Sequence, residues 1–148
     1  MNEIRTEIQI QASAQRVWEV LTDFPSYSLW NSVLHPIQGE VRPGGQLRVR
    51  VRPLTRPGIR FRAMLLCVEP ARELRWVAKF IHHRVFSGEH SFTIEPIGNG
   101  AVRFVQREVY TGLLVPLIML VLASRNRRAF EEMNRALKAR AEEAHKLP

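Results

Sequence analysis

Cysteine is nearly absent from this chain. Cys67 is the only one in 148 residues, so an internal disulfide framework and a multi-cysteine zinc site are both excluded. Because it sits in an apolar run, Cys67 reads as a small buried hydrophobe rather than a reactive thiol. Long hydrophobic runs are missing too. The most apolar stretch, Leu113 to Ala123, is 11 residues long and contains Pro116, against about 20 residues for a bilayer-spanning helix. The start, Met1-Asn2-Glu3-Ile4-Arg5, alternates polar and apolar residues and carries no secretory pattern. The expected location is therefore cytoplasmic. There is no nucleophile elbow of the Gly-x-Ser-x-Gly kind. The glycines of Pro43-Gly44-Gly45 join strands instead of opening a phosphate-binding helix. His82 and His83 are neighbours that would point to opposite sides of a strand, so no metal site is expected, and no cofactor is implied.

Acidic residues are outnumbered. Twenty-two Lys and Arg against 14 Asp and Glu leave a net charge of +8. Such a surplus can serve nucleic acid or an anionic surface, but no nucleic-acid-binding motif accompanies it and no nucleic-acid partner is expected. Arg48, Arg50 and Arg52 alternate with Leu47, Val49 and Val51. Arg60 and Arg62 alternate with Ile59, Phe61 and Ala63. This is the pattern of a strand with one wet face; a polyanion-binding surface is the other reading.

What is present is a regular succession of elements within the length of one domain, 1–148. Period-two alternation predicts a strand over residues 3–11, with Ile4, Thr6, Ile8 and Ile10 on one side. Ser13 is placed to cap a helix over Ala14–Thr22 that gathers Val17, Val20 and Leu21 on one side, with Trp18 beside them. Pro25 ends it, and Ser26–Trp30 suits a second helical turn. Extended segments follow at Val33–Val41, Gln46–Pro53, Ile59–Val68, Glu73–Phe80, Arg84–Glu95 and Ala101–Thr111. They are joined by short Gly/Pro turns at residues 43–45, 55–58, 69–72 and 96–100, with a loop at His82-His83. Short connections imply an antiparallel meander. Leu114 to about His145 is a long amphipathic helix with Leu120, Ala123, Phe130, Met133 and Leu137 on its apolar side. The fold class is α+β, a curved antiparallel sheet with a long helix packed over it. The space left between them is the expected ligand site.

The order and spacing of several short motifs carry a resemblance. They are Ile10-x-Ala12-Ser13-x-x-x-Val17-Trp18-x-x-Leu21-x-Asp23, Tyr27-x-x-Trp30-Asn31, Gly39 with Pro43-Gly44-Gly45, and Glu69-Pro70 before Leu74-x-Trp76. They continue with Gly88-x-His90-x-Phe92, Gly98-x-Gly100, Arg107-Glu108 and Gly112-Leu113-Leu114. Over nearly its whole length the chain resembles the START/Bet v 1-like superfamily, in particular its SRPBCC and polyketide cyclase/dehydrase-like group. Where such families often carry Trp-Asn-Pro, this chain has Trp30-Asn31-Ser32. The resemblance implies a helix-grip fold: a seven-stranded antiparallel sheet, two short helices after the first strand, and a long C-terminal helix over an internal cavity. It implies binding of a small apolar molecule such as a lipid or polyketide. Some relatives are cyclases or aromatases.

Side-chain parity selects candidates. On the last strand Arg103 and Arg107 mark one side as wet, which turns Phe104, Gln106, Glu108 and Tyr110 inward. On the strand before it His90, Phe92 and Ile94 share a side. His90 and Glu108 therefore both reach the apolar interior. They would orient the polar end of a ligand, act as an acid/base pair, or simply satisfy each other. Trp30, Asn31, Phe61, Leu65, Trp76, Phe92 and Phe104 are candidates for the pocket wall, with core packing as the alternative for the aromatics. Leu117, Leu120 and Ser124 are expected to line it from the helix. Binding is favoured over catalysis, with a polyketide cyclase/aromatase-like enzyme as the alternative. A third reading joins the apolar Leu113–Ala123 run to Arg125, Arg127 and Arg128 as a peripheral contact with anionic membrane.

Overall fold

A computed structural model describes residues 2–52, 59–80 and 82–143. Seven strands form one antiparallel sheet: β1 (Glu3–Ile10), β2 (Leu34–Gln38), β3 (Gln46–Val51), β4 (Ile59–Glu69), β5 (Glu73–Lys79), β6 (Ser87–Gly98) and β7 (Ala101–Thr111). Their spatial order is β1-β7-β6-β5-β4-β3-β2. The first strand thus pairs with the last, and the remainder is the expected meander. Helix α1 (Ala14–Thr22) and a short 3-10 helix (Phe24–Leu29) follow β1, and α2 (Val115–Glu143) ends the described chain. The expected Thr55–Gly58 turn, Pro53 and the helix end at His145 lie outside the described residues.

Ser13 caps α1 as its position suggests, its Oγ accepting from Arg16 N–H at 3.0 Å. Val17, Trp18, Val20 and Leu21 are all buried, so Trp18 belongs to the buried stripe itself. The second helical turn starts at Phe24 rather than Ser26. Pro25 occupies its first turn, where a missing N–H costs nothing. Strand β6 begins at Ser87 instead of Arg84. The amides of Val85 and Phe86 are taken by the His82 carbonyl, and the Arg84 carbonyl accepts from Leu113 N–H at 2.9 Å, so this segment turns. His82 and His83 accordingly do not alternate across a strand: their ring centroids lie 4.2 Å apart.

Gly112 sets the start of α2. A side-chain carbon there would stand 2.3 Å from the Val85 carbonyl oxygen, and its φ of +134° disfavours any other residue. The other half of α2 is tied to β1. Lys138 donates to the Gln9 carbonyl and Gln11 N–H to Glu142. Met133, Leu137 and Ala141 are buried against the sheet. The core between them contains Ile10, Leu21, Leu47, Leu65, Leu74, Trp76, Phe92 and Phe104. The apolar stripe of α2 does not run its full length. Leu117, Leu120 and Val121 are 67%, 85% and 67% exposed, and the first half of the helix buries Val115 alone completely.

Candidate ligand site

Strands β6 and β7 pair in a register that sets His90 opposite Glu108, Phe92 opposite Gln106 and Gly88 opposite Tyr110. Directly opposed residues share a sheet face, so these side chains converge beneath α2. His90 Nδ1 lies 3.3 Å from Glu108 Oε2, and both side chains are nearly enclosed, 7% and 11% exposed. The absent side chain of Gly88 makes room: a Cβ there would stand 2.3 Å from Glu108 Oε1.

The pair is where two hydrogen-bonded arms meet. Asn126 Nδ2 donates to the Tyr110 hydroxyl at 2.9 Å, which donates to Glu108 Oε2 at 3.0 Å. On the other side His90 Nε2 meets Gln106 Oε1 at 2.9 Å. The Gln106 amide donates to Asn134 Oδ1 at 2.7 Å and to the Phe130 carbonyl at 3.3 Å, and Asn134 donates to Thr6 Oγ1 at 2.9 Å. Since the Gln106 nitrogen is already donating, its oxygen faces His90, and His90 Nε2 is the donor of that bond. The remaining ring nitrogen points at the carboxylate. Glu108 thus receives from Tyr110 on one side, and on the other faces the His90 imidazole at 3.3 Å. Burial, and then the adjacent Glu108 charge, push the Tyr110 hydroxyl well above its ordinary value, so it stays a neutral donor.

Aromatic rings enclose this polar line. Phe92 stacks on the His90 ring at 4.4 Å, with Phe130 at 4.9 Å and Trp76 at 5.4 Å. A second aromatic series leads outward from Tyr110: Phe86 at 5.8 Å, then Phe80 at 5.0 Å, then Phe61 at 5.2 Å. Phe61 and Phe80 are half-buried, as are Ile118 and Met119 on α2. The apolar surface nearest Tyr110 and Glu108 that is incompletely covered therefore lies toward the first half of α2.

The structure gathers His90, Gln106, Glu108, Trp76 and Phe92 into one cluster. Leu65 and Phe104 are core residues, 1% and 0% exposed. Trp30 stands apart, against Tyr27 at 4.7 Å and beside a groove of about 430 Å³ lined by Arg16, Glu19 and Arg140. Asn31 is a buried turn staple whose Oδ1 accepts from the amides of Val33 and Leu34, both at 2.9 Å; its Nδ2 is buried without a partner among the described residues. Leu117, Leu120 and Ser124 are exposed and do not line the helix–sheet interface. The helical phase that buries Phe130 and Met133 turns them outward, and the residues facing in at this end are Ile118, Met119 and Asn126. Thr6, Tyr110, Asn126, Phe130 and Asn134 belong to this cluster and were not among the candidates that sequence reasoning selected. The spacing Asn126, Phe130, Asn134 held a signal, since residues four apart share a helix face and two of these are polar on an apolar stripe.

A family model described as "Polyketide cyclase / dehydrase and lipid transport" matches residues 1–142. The chain belongs to this family. Among solved structures, the family member is similar to the Zhui aromatase/cyclase from Streptomyces sp. R1128, at 15% identity and a TM-score of 0.81 over 97% of this chain and 95% of that one. It is similar to a START superfamily protein from Mycobacterium smegmatis, at 20% identity and a TM-score of 0.74 over 96% and 98%. A norcoclaurine synthase from Thalictrum flavum, crystallised with a transition-state analogue, matches at 14% and a TM-score of 0.73 over 97% and 96%. At these identities the likeness is one of fold, and the fold is the helix-grip of the START/Bet v 1 superfamily. A comparison with curated proteins found no match. Among the described residues no helix is long and apolar enough to cross a membrane, and no group of three or more His, Cys, Asp or Glu side chains is placed to hold a metal.

Proposed function

We propose that this protein binds a small apolar molecule between the first half of α2 and the inner face of the sheet, with the polar end of the ligand at Tyr110 and Glu108. The observation that carries the reading is the buried His90–Glu108 pair, set in aromatic rings and reached by half-buried Phe80 and Phe61. Burying ligand carbon against those rings stabilises the complex by about 25 cal/mol per Å² removed from water. A buried carboxylate with fixed donors then discriminates between polar ends. Native mass spectrometry of the purified protein is expected to show a retained small molecule. The neutral dye Nile red is expected to bind saturably, and Phe80→Asp to abolish its binding. Absence of both a retained molecule and saturable dye binding sinks the proposal.

A second reading follows from the buried contact of His90 with Glu108. Such a pair can give and take protons beside a reactive chain folded against the same apolar surface, as an aromatase/cyclase requires. In that case Glu108→Gln lowers turnover of a poly-ketone substrate by roughly 10²- to 10⁴-fold while Nile red still binds. Equal turnover by the variant removes this reading.

The exposed start of α2 fits the same function. Leu113, Leu117, Leu120 and Val121 stand in solvent beside exposed Arg125, Arg127 and Arg128, an apolar and basic face suited to an anionic bilayer from which an apolar ligand is drawn.

A further inference from the structure

The face of the sheet turned away from α2 carries a feature that the apolar site does not use. Strands β3 and β4 pair Arg48 with Arg62 and Arg50 with Arg60, each directly opposite the other. Like charges so placed destabilise a sheet. None of these four arginines forms an ion pair among the described residues. Acids do exist on this face, but elsewhere: Glu73 and Glu89 on β5 and β6 are both held by Arg75, and Glu95 by Arg103. The clustering at β3–β4 is thus an uncompensated local charge, and exposed Lys79 of β5, without an ion pair among the described residues, continues it on the same face.

The four side chains enclose space. Together with Pro36 and Gln38 of β2 they line an open groove of about 520 Å³, within the roughly 300–1,000 Å³ usual for small-molecule sites. Arg50 Nε is buried and has no hydrogen-bond partner among the described residues. Guanidinium groups offer planar paired donors that match phosphate oxygens two at a time.

We propose that this groove binds a small soluble molecule carrying a diphosphate or longer phosphate chain, held between the Arg48–Arg62 and Arg50–Arg60 pairs. Two opposed guanidinium pairs answer to two linked phosphates better than to one. A nucleic-acid strand is the weaker fit. The unpaired basic residues form one compact patch, and Phe61, the one aromatic residue of the lining, packs its ring against Phe80 on the other face of the sheet, leaving no platform for a base. This site is separate from the apolar one and does not depend on it.

Calorimetric titration with inorganic pyrophosphate at low ionic strength tests the proposal. The expected result is one site per chain, weakened on the order of a hundredfold by the double substitution Arg50→Gln with Arg60→Gln. Arg103→Gln, remote from the groove, is expected to leave it unchanged. Removal of a like-charge pair is expected to raise the melting temperature of the double variant without ligand, so that lost binding is not lost folding. His35 supplies an independent signal. Burial, then the charges of Arg52 and Arg50, hold its imidazole below the ordinary value, and bound pyrophosphate is expected to raise it in an NMR titration. Undiminished binding by the double variant overturns the proposal. So does equal weakening by Arg103→Gln, which would mean general charge attraction, and so does tighter binding of a single-stranded oligonucleotide than of pyrophosphate through the same arginines.

Discussion

Single residues at this site act through geometry more than through chemical type. Gly88 has an ordinary backbone conformation, so alanine is compatible with its strand, yet the added methyl would meet Glu108 Oε1. That oxygen is the tip of a flexible side chain, and it is the part that yields. Gly88→Ala is therefore expected to fold at a cost of about 1–3 kcal/mol while moving the carboxylate away from His90. Nitrogen NMR of the His90 ring reads the outcome, and an unchanged ring signal in a folded variant would show that Gly88 does not set the pair. Tyr110 and Asn134 carry the same lesson. Each was visible as a residue type, and Tyr110 shared the inward parity of Glu108. What the chain could not show is that Asn134 reaches Gln106 and Thr6, because those three belong to α2, β7 and β1 and meet only across the packed interface.

At the scale of elements, α2 has two halves with different duties. Its second half is core. Leu137→Ala is expected to cost about 2–5 kcal/mol, since Leu137 is completely enclosed. Leu120→Ala is expected to change stability by no more than about 0.5 kcal/mol, because Leu120 is 85% exposed. Urea denaturation of the two variants decides this, and a large loss for Leu120→Ala would place that side chain in a packed interface. The same exposed half can be tested against membranes. Leu117→Glu with Leu120→Glu should leave the urea midpoint in place and remove sedimentation with anionic vesicles at low salt; a wild-type protein that ignores such vesicles excludes the bilayer contact. Helical periodicity predicts one continuous stripe through Leu120 and Ala123. Gly112 and the Val85 carbonyl fix where α2 begins and in what phase it lies over the sheet, and in that phase Leu120 is exposed while Ala123 stays half-buried on the side of Phe130.

Across the whole molecule, charge decides the response to acid. The His35 imidazole titrates below its ordinary value of 6.5 through burial and the Arg52 and Arg50 charges, so folding favours its neutral form. As pH falls below about 6.5 the unfolded chain takes up that proton first, and stability declines until the lower folded value is passed. The Glu3 carboxyl is held below its ordinary 4.5, first by its hydrogen bond to Arg107, and its contribution is present above 4.5 and lost as pH drops through the folded value. Both act in the same sense, against a background of +8 that grows in acid. The melting temperature is expected to fall steadily from about pH 7 toward pH 4. His35→Gln should flatten the upper part of that fall and Glu3→Gln the lower part. A curve of unchanged shape in His35→Gln would remove His35 from the account.

The order of elements, the antiparallel meander and the inward side of each strand follow from the chain alone, because alternation, capping and turn chemistry are local properties. The pairing of His90 with Glu108 was within reach of the same reasoning, since parity aims both inward. Three matters waited for the tertiary structure. The phase of α2 over the sheet depends on a backbone contact between residues far apart in sequence, and it leaves Leu117, Leu120 and Ser124 exposed while turning Ile118, Met119 and Asn126 toward the sheet. The role of Asn31 depends on the turn it closes. The pairing of Arg48 with Arg62 and of Arg50 with Arg60 depends on strand register, which no single strand encodes, and it turned two alternating runs of arginine into one open groove.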